Sequence, residues 1–164
     1  MRRPYIKKFS IAITTAALAL SLTACTGAGP NAATRLIKQV TDGVDLVINK
    51  DGSNLAISNF LLVATEDGSA VVVGTIINHA QESDALVSIS VANVPAKLSG
   101  EVNLHQDKPI RFEGEQATTK ALFDSVGARA GTNVPLDLTF ARAGVVKINA
   151  IIRDKRDTYA AVTK

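Results

Sequence analysis

Leu136-Asp137-Leu138-Thr139-Phe140-Ala141-Arg142-Ala143-Gly144-Val145-Val146-Lys147-Ile148-Asn149-Ala150-Ile151-Ile152 is the stretch that decides the fold. Apolar Leu136, Leu138 and Phe140 alternate with Asp137 and Thr139, and Val146, Ile148, Ala150 and Ile152 alternate with Lys147, Asn149 and Ile151. A period of two means strands with one packed face and one wet face. Between the runs, Ala141-Arg142-Ala143-Gly144 suits a tight hairpin, since Gly tolerates the positive φ that such turns require.

The same signal extends towards the N-terminus. Residues 70–77, Ala-Val-Val-Val-Gly-Thr-Ile-Ile, read as a buried strand in which Gly74 marks a bulge or a close approach. Over residues 86–91 the pattern assigns Val87, Ile89 and Val91 to one face and Ser88 and Ser90 to the other. Leu55 and Ile57 share a parity that Phe60 and Leu62 reverse, so a bulge is expected near Ser58-Asn59. Asp-Gly pairs at 42–43, 51–52 and 67–68 are turn signals, because Asp bonds its local backbone and Gly takes positive φ. Their unequal spacing and lack of a ligand ladder argue against a calcium repeat. Residues 115–123 read as a short helix or an irregular loop. Short strands with frequent turns and no long 3.6-residue period indicate an all-β antiparallel sandwich. Four of the five phenylalanines, Phe60, Phe112, Phe123 and Phe140, are assigned to its core.

The N-terminus carries an address. Arg2, Arg3, Lys7 and Lys8 precede an uncharged apolar run over residues 11–22, the layout of a secretory signal. That run falls short of the roughly 20 residues a spanning helix needs. It ends in Leu22-Thr23-Ala24-Cys25, which resembles the lipobox of bacterial lipoproteins. The expected division is a signal peptide over 1–24, a lipidated tether over 25–34, a sandwich domain over 35–158 and a C-terminal tail over 159–164. Cys25 is the expected lipidation site, and a diacylglyceryl group supplies the two chains that stable anchoring requires. The expected location is the extracytoplasmic face of a cell membrane.

Processing at Cys25 changes the composition. The chain has 18 basic and 15 acidic residues. Those 18 less the four in the signal leave 14, so the remaining chain is near neutrality and gives no basis for nucleic-acid binding. The only methionine is Met1 and the only cysteine is Cys25. No Gly-x-Ser-x-Gly, His-Glu-x-x-His, phosphate-loop or paired-cysteine motif is present, so no enzyme is expected.

Three blocks resemble the periplasmic copper chaperone family PCu(A)C, and within it the LpqE-like lipoproteins of actinobacteria. They are Gly74-Thr75-Ile76-Ile77-Asn78, Ser83-Asp84-Ala85-Leu86-Val87-Ser88 and the long block from Gly131 through Pro135 to Gly144. The resemblance spans roughly residues 55–153. It implies a cupredoxin-like, immunoglobulin-like sandwich that binds copper through His and Met at its rim. Cu(I) favours sulfur with imidazole, and the processed chain offers neither Met nor a free Cys. His79 and His105 are then the candidate metal ligands, both expected in loops, with Asp107 or Glu82 completing a site for Cu(II) or Zn(II). Without a metal, the same sequence reads as a non-catalytic envelope module that needs no cofactor, binding an envelope protein or ligand.

Overall fold

The computed structural model describes residues 41–164. The expectations for the signal, Cys25 and the tether lie outside these residues.

Eleven strands make the domain: β1 (Val44–Lys50), β2 (Ser53–Ala64), β3 (Ala70–Asn78), β4 (Asp84–Val91), β5 (Val94–Pro95), β6 (Lys97–Gly100), β7 (Asn103–Leu104), β8 (Ile110–Arg111), β9 (Thr119–Phe123), β10 (Asn133–Phe140) and β11 (Gly144–Asp154). Pairing runs β5-β4-β10-β11-β2-β3-β9-β6, with β1 on β2, β7 on β4 and β8 on β3. The architecture is the all-β sandwich that the alternation predicts. All but one of the pairings between strands are antiparallel. The exception is β11, which leaves β10 after Ile151 and runs parallel to β2 over Ile152, Arg153 and Asp154. That switch of partner joins the two layers. It is possible because β2 is long enough to share one edge, its first half pairing with β1 and its last residues with β11.

The turns follow the residues that make them. Asp51 (φ 50°) and Gly52 (φ 78°) link β1 to β2 in a two-residue loop with both central residues left-handed. Gly144 (φ 75°) closes the three-residue β10–β11 loop opposite Phe140. Asp42-Gly43 forms no hairpin; Gly43 lies against the bulge of β2 and donates its N–H to the Asn59 Oδ1 at 3.0 Å. The bulge expected near Ser58-Asn59 is present, with Asn59 at φ 50° and the register broken between Ser58 and Leu61.

Two expectations are corrected. Residues 115–123 are neither a helix nor wholly a loop, because Thr119–Phe123 is a strand seated between β3 and β6. Its run is short and a turn precedes it, which hid its period. Val87 does not share the inner face of Ile89 and Val91. Thr139 pairs with Ser88 but Phe140 pairs with Leu86, so Val87 is the extra residue of a bulge and points out. Leu86 takes the inner position instead.

The main core joins both layers and includes Leu55, Phe60, Ile76, Ile89, Leu104, Phe123, Leu136 and Phe140. Phe60 and Phe112 meet edge to face with centroids 5.5 Å apart. A second cluster sits on the outer face of β2 and β3. There Leu61, Val63, Val71 and Val73 are covered by Tyr159 and Val162. Residues 159–164, expected as a tail beyond the sandwich, thus bring two apolar side chains onto it. A 3-10 turn, Asp157–Tyr159, starts this strap.

Candidate metal-binding rim

His79 and His105 each follow the last residue of a strand, β3 and β7 respectively. The strands deliver them to neighbouring loops, because Asn78 forms a bridge with Gln106 and β7 pairs with the start of β4. The loop from β3 to β4 covers residues 79–83, and the loop from β7 to β8 covers 105–109.

His79 Nδ1 lies 2.7 Å from Asp107 Oδ1, with both side chains about half exposed. In the neutral ring this contact puts the proton on Nδ1 and leaves the lone pair on Nε2. A metal-binding histidine usually has its second nitrogen held in this way by a carboxylate or other oxygen. Asp107 itself has φ 54°, a left-handed conformation that Asp tolerates better than most residues. The turn over residues 105–108 is closed by Lys108 N–H donating to the His105 carbonyl at 3.2 Å. His105 Nδ1 is 3.1 Å from Ser83 Oγ, so its Nε2 is likewise the nitrogen without a protein partner in that contact.

Of the two carboxylates expected to complete a site, Asp107 is at His79, whereas Glu82 is engaged by Arg142. Among the described residues, no group of three or more His, Cys, Asp or Glu is arranged to hold a metal ion. The donors present are imidazole nitrogen and oxygen, a set suited to Cu(II) or Zn(II) and unlike the sulfur-rich set that selects Cu(I). Glu101 lies two residues before β7 begins and is held below the usual carboxylate range. The first cause is the Asn103 N–H that it accepts at 2.7 Å, and the nearby His105 is a lesser one.

Asn78, Ser83 and Asp84 also shape the rim, a role that their residue types alone do not announce. Asn78 is buried and ties the two histidine loops together, its amide donating to Glu82 O at 2.8 Å and Leu104 O at 2.9 Å. Asp84, also buried, accepts from Arg142 N at 2.8 Å and Ala143 N at 3.0 Å. It anchors the β10–β11 hairpin loop to the start of β4. An Asn at a strand end and an Asp opening the next strand were legible as polar residues, but the contacts that join them to other loops, Asn78 with Leu104 and Asp84 with Arg142, span 26 and 58 positions in the chain.

No family model matches the chain, and the curated proteins hold no match to it. Solved structures do. The apo PCuAC domain from PmoF1 is similar over 68% of this chain and 99% of that one, with TM-score 0.56 and 24% identity. The copper-bound PCuAC domain from PmoF2 gives TM-score 0.55 and 18% identity over 68% of this chain and 98% of its own. The apo form of the PmoF2 domain gives 0.55 and 16%, over 69% and 96%. At such identities the likeness is one of fold: residues 41–164 contain a β-sandwich of the PCuAC kind, cupredoxin-like and immunoglobulin-like.

Proposed function

We propose that this protein is a non-catalytic metal-handling lipoprotein, anchored through Cys25 to the extracytoplasmic face of the cell membrane. Its cargo is copper in the Cu(II) state, or Zn(II), taken at the rim by His79 and His105. The observation that carries this reading is the His79–Asp107 pair at 2.7 Å, which holds one imidazole with Nε2 free to ligate. The likeness in fold to a copper-bound PCuAC domain supports it. The lipobox-like run before Cys25 supports the anchor.

Metal titration followed at the two imidazoles tests the reading. Cu(II) broadens and Zn(II) shifts the ring resonances of His79 and His105 near one equivalent, and Cu(I) does so more weakly. Unchanged rings at stoichiometric metal would sink it. The anchor is tested separately, since Cys25→Ala abolishes lipid labelling and frees the protein from the membrane fraction.

One observation favours the envelope-interaction reading. Val87 and Val145 are both about 60% exposed on the outer face of β4, β10 and β11, where Val145 pairs with Thr139 and Thr139 with Ser88. A protein with silent imidazoles that still captures an envelope partner, and loses it on Val87→Asp, would select that reading.

A further inference from the structure

We infer that Asn78 is the positioning residue of the metal rim: one buried residue, through its side-chain amide and its backbone carbonyl, holds the peptide groups that precede both histidines. This rests on the metal reading above and names the residue that makes the two loops one site. The side-chain amide of Asn78 donates to the carbonyl of Leu104, which belongs to the peptide bond joining Leu104 to His105. The backbone carbonyl of Asn78 belongs to the peptide bond joining it to His79, and it accepts the Asp107 N–H at 2.7 Å. Asp107 then meets His79 through its carboxylate. The contacts close a ring: Asn78 to Leu104–His105, through the 105–107 turn to Asp107, and from Asp107 back to His79 and Asn78.

The remaining atoms of the side chain are also used. The second amide hydrogen goes to Glu82 O at 2.8 Å, and Oδ1 accepts from Ala80 N at 2.9 Å. Both contacts hold the 79–83 loop. The residue is 1% exposed, and two carbonyls and one N–H surround its amide. That environment asks for two donors and one acceptor at one short side chain, which is the inventory of asparagine. Aspartate would set an oxygen against two carbonyl oxygens. A shorter hydroxyl would supply a single donor. The position of each imidazole is thereby fixed by the backbone and does not depend on any direct contact between the two rings.

The test uses the full-length protein with Asn78→Ala and Asn78→Asp, and Zn(II) as the probe. In the unsubstituted protein the His79 and His105 rings move together along one binding curve. In either variant, with core methyl resonances retained, affinity falls about ten- to a hundredfold, the range for residues that support metal ligands. The two rings then follow separate curves. Wild-type affinity with joint movement in both variants overturns the inference.

Two measurements keep it testable without metal. The Asn78 side-chain amide protons exchange slowly in the unsubstituted protein; exchange as fast as that of exposed Asn49 overturns the inference even if neither variant folds. In Asn78→Ala the His79 Nδ1 nitrogen loses the shift of a ring bonded to Asp107; an unchanged shift also overturns it. If the unsubstituted protein ignores Zn(II) while these two readouts behave as stated, the metal reading fails and the positioning role of Asn78 stands.

Discussion

Gly74 lies directly beneath Phe60: a Cβ at Gly74 would stand 2.8 Å from the Phe60 Cδ2 and 3.0 Å from its Cα. At this point the bulge of β2 places Asn59 and Phe60 opposite the single residue Gly74, whose φ of 143° is open to glycine and strained for L side chains. Phe60 turned inward in this way contacts Phe112, and Gly74 O accepts Phe112 N–H at 3.0 Å. Gly74→Ala therefore adds overpacking to backbone strain. The expected loss is about 2–3 kcal/mol, read from the urea midpoint with an unchanged slope. A loss below about 0.5 kcal/mol would show that Phe60 has room to withdraw.

The C-terminal strap is the second test. Tyr159 and Val162 cover Leu61, Val63, Val71 and Val73 on the outer face of β2 and β3. Val162→Ala is expected to cost about 1–2 kcal/mol, from two buried carbons at roughly 0.8 kcal/mol each. Ending the chain after Thr158 uncovers the whole patch. The shortened protein keeps its β signal, since the main core is untouched, but binds an apolar dye that the full protein ignores. Absence of dye binding would mean the patch is closed by something other than the strap.

Much of this fold was readable because alternation is a local property. Leu136, Leu138 and Phe140 had to share a face, as did Ile148, Ala150 and Ile152, and the Asp51-Gly52 turn carried its own chemistry. The parity break between Ile57 and Phe60 even located a bulge. The bulge at Val87 left no such mark, because Leu86 and Val87 are equally apolar and only the pairing with β10 decides between them. The parallel pairing of β11 with β2 was hidden for the same reason, as was the strap. At the rim, the histidines and Asp107 were readable as residue types. Asn78 was not, because the contact that joins the two histidine loops runs to the carbonyl of Leu104, 26 residues away in the chain.

The strap is also tied down by charge, which makes stability depend on pH. The Lys164 ammonium bonds Asp67 and is the first cause of a carboxyl held well below the usual range, followed by the Thr65 and Ser69 hydroxyls. A carboxyl whose folded pKa lies below its unfolded value near 4 stabilises the fold above that value. The contribution fades as pH falls through the folded pKa. Acid titration of Asp67→Asn should show a flatter acid limb than the unsubstituted protein. Salt should narrow the difference, since the group is exposed and the Lys164 part is screened. Identical acid limbs would remove Asp67 from the account.

Asp107→Asn separates the charge of the rim from its geometry. Asparagine tolerates φ 54° about as well as aspartate, and its Oδ1 can still accept the His79 Nδ1 proton. The backbone turn and the ring orientation therefore survive, and only the negative charge behind the imidazole is lost. That charge raises the donor strength of Nε2 towards a cation, so Zn(II) affinity should fall about tenfold, the lower end of the range for a carboxylate behind a histidine ligand. Asp107→Ala should lose more, because it adds left-handed strain at an alanine and releases the ring. The order unsubstituted, then Asp107→Asn, then Asp107→Ala is the signature of a carboxylate acting through His79. Equal loss in both variants would instead make Asp107 a direct ligand, with its charge on the metal and not on the ring.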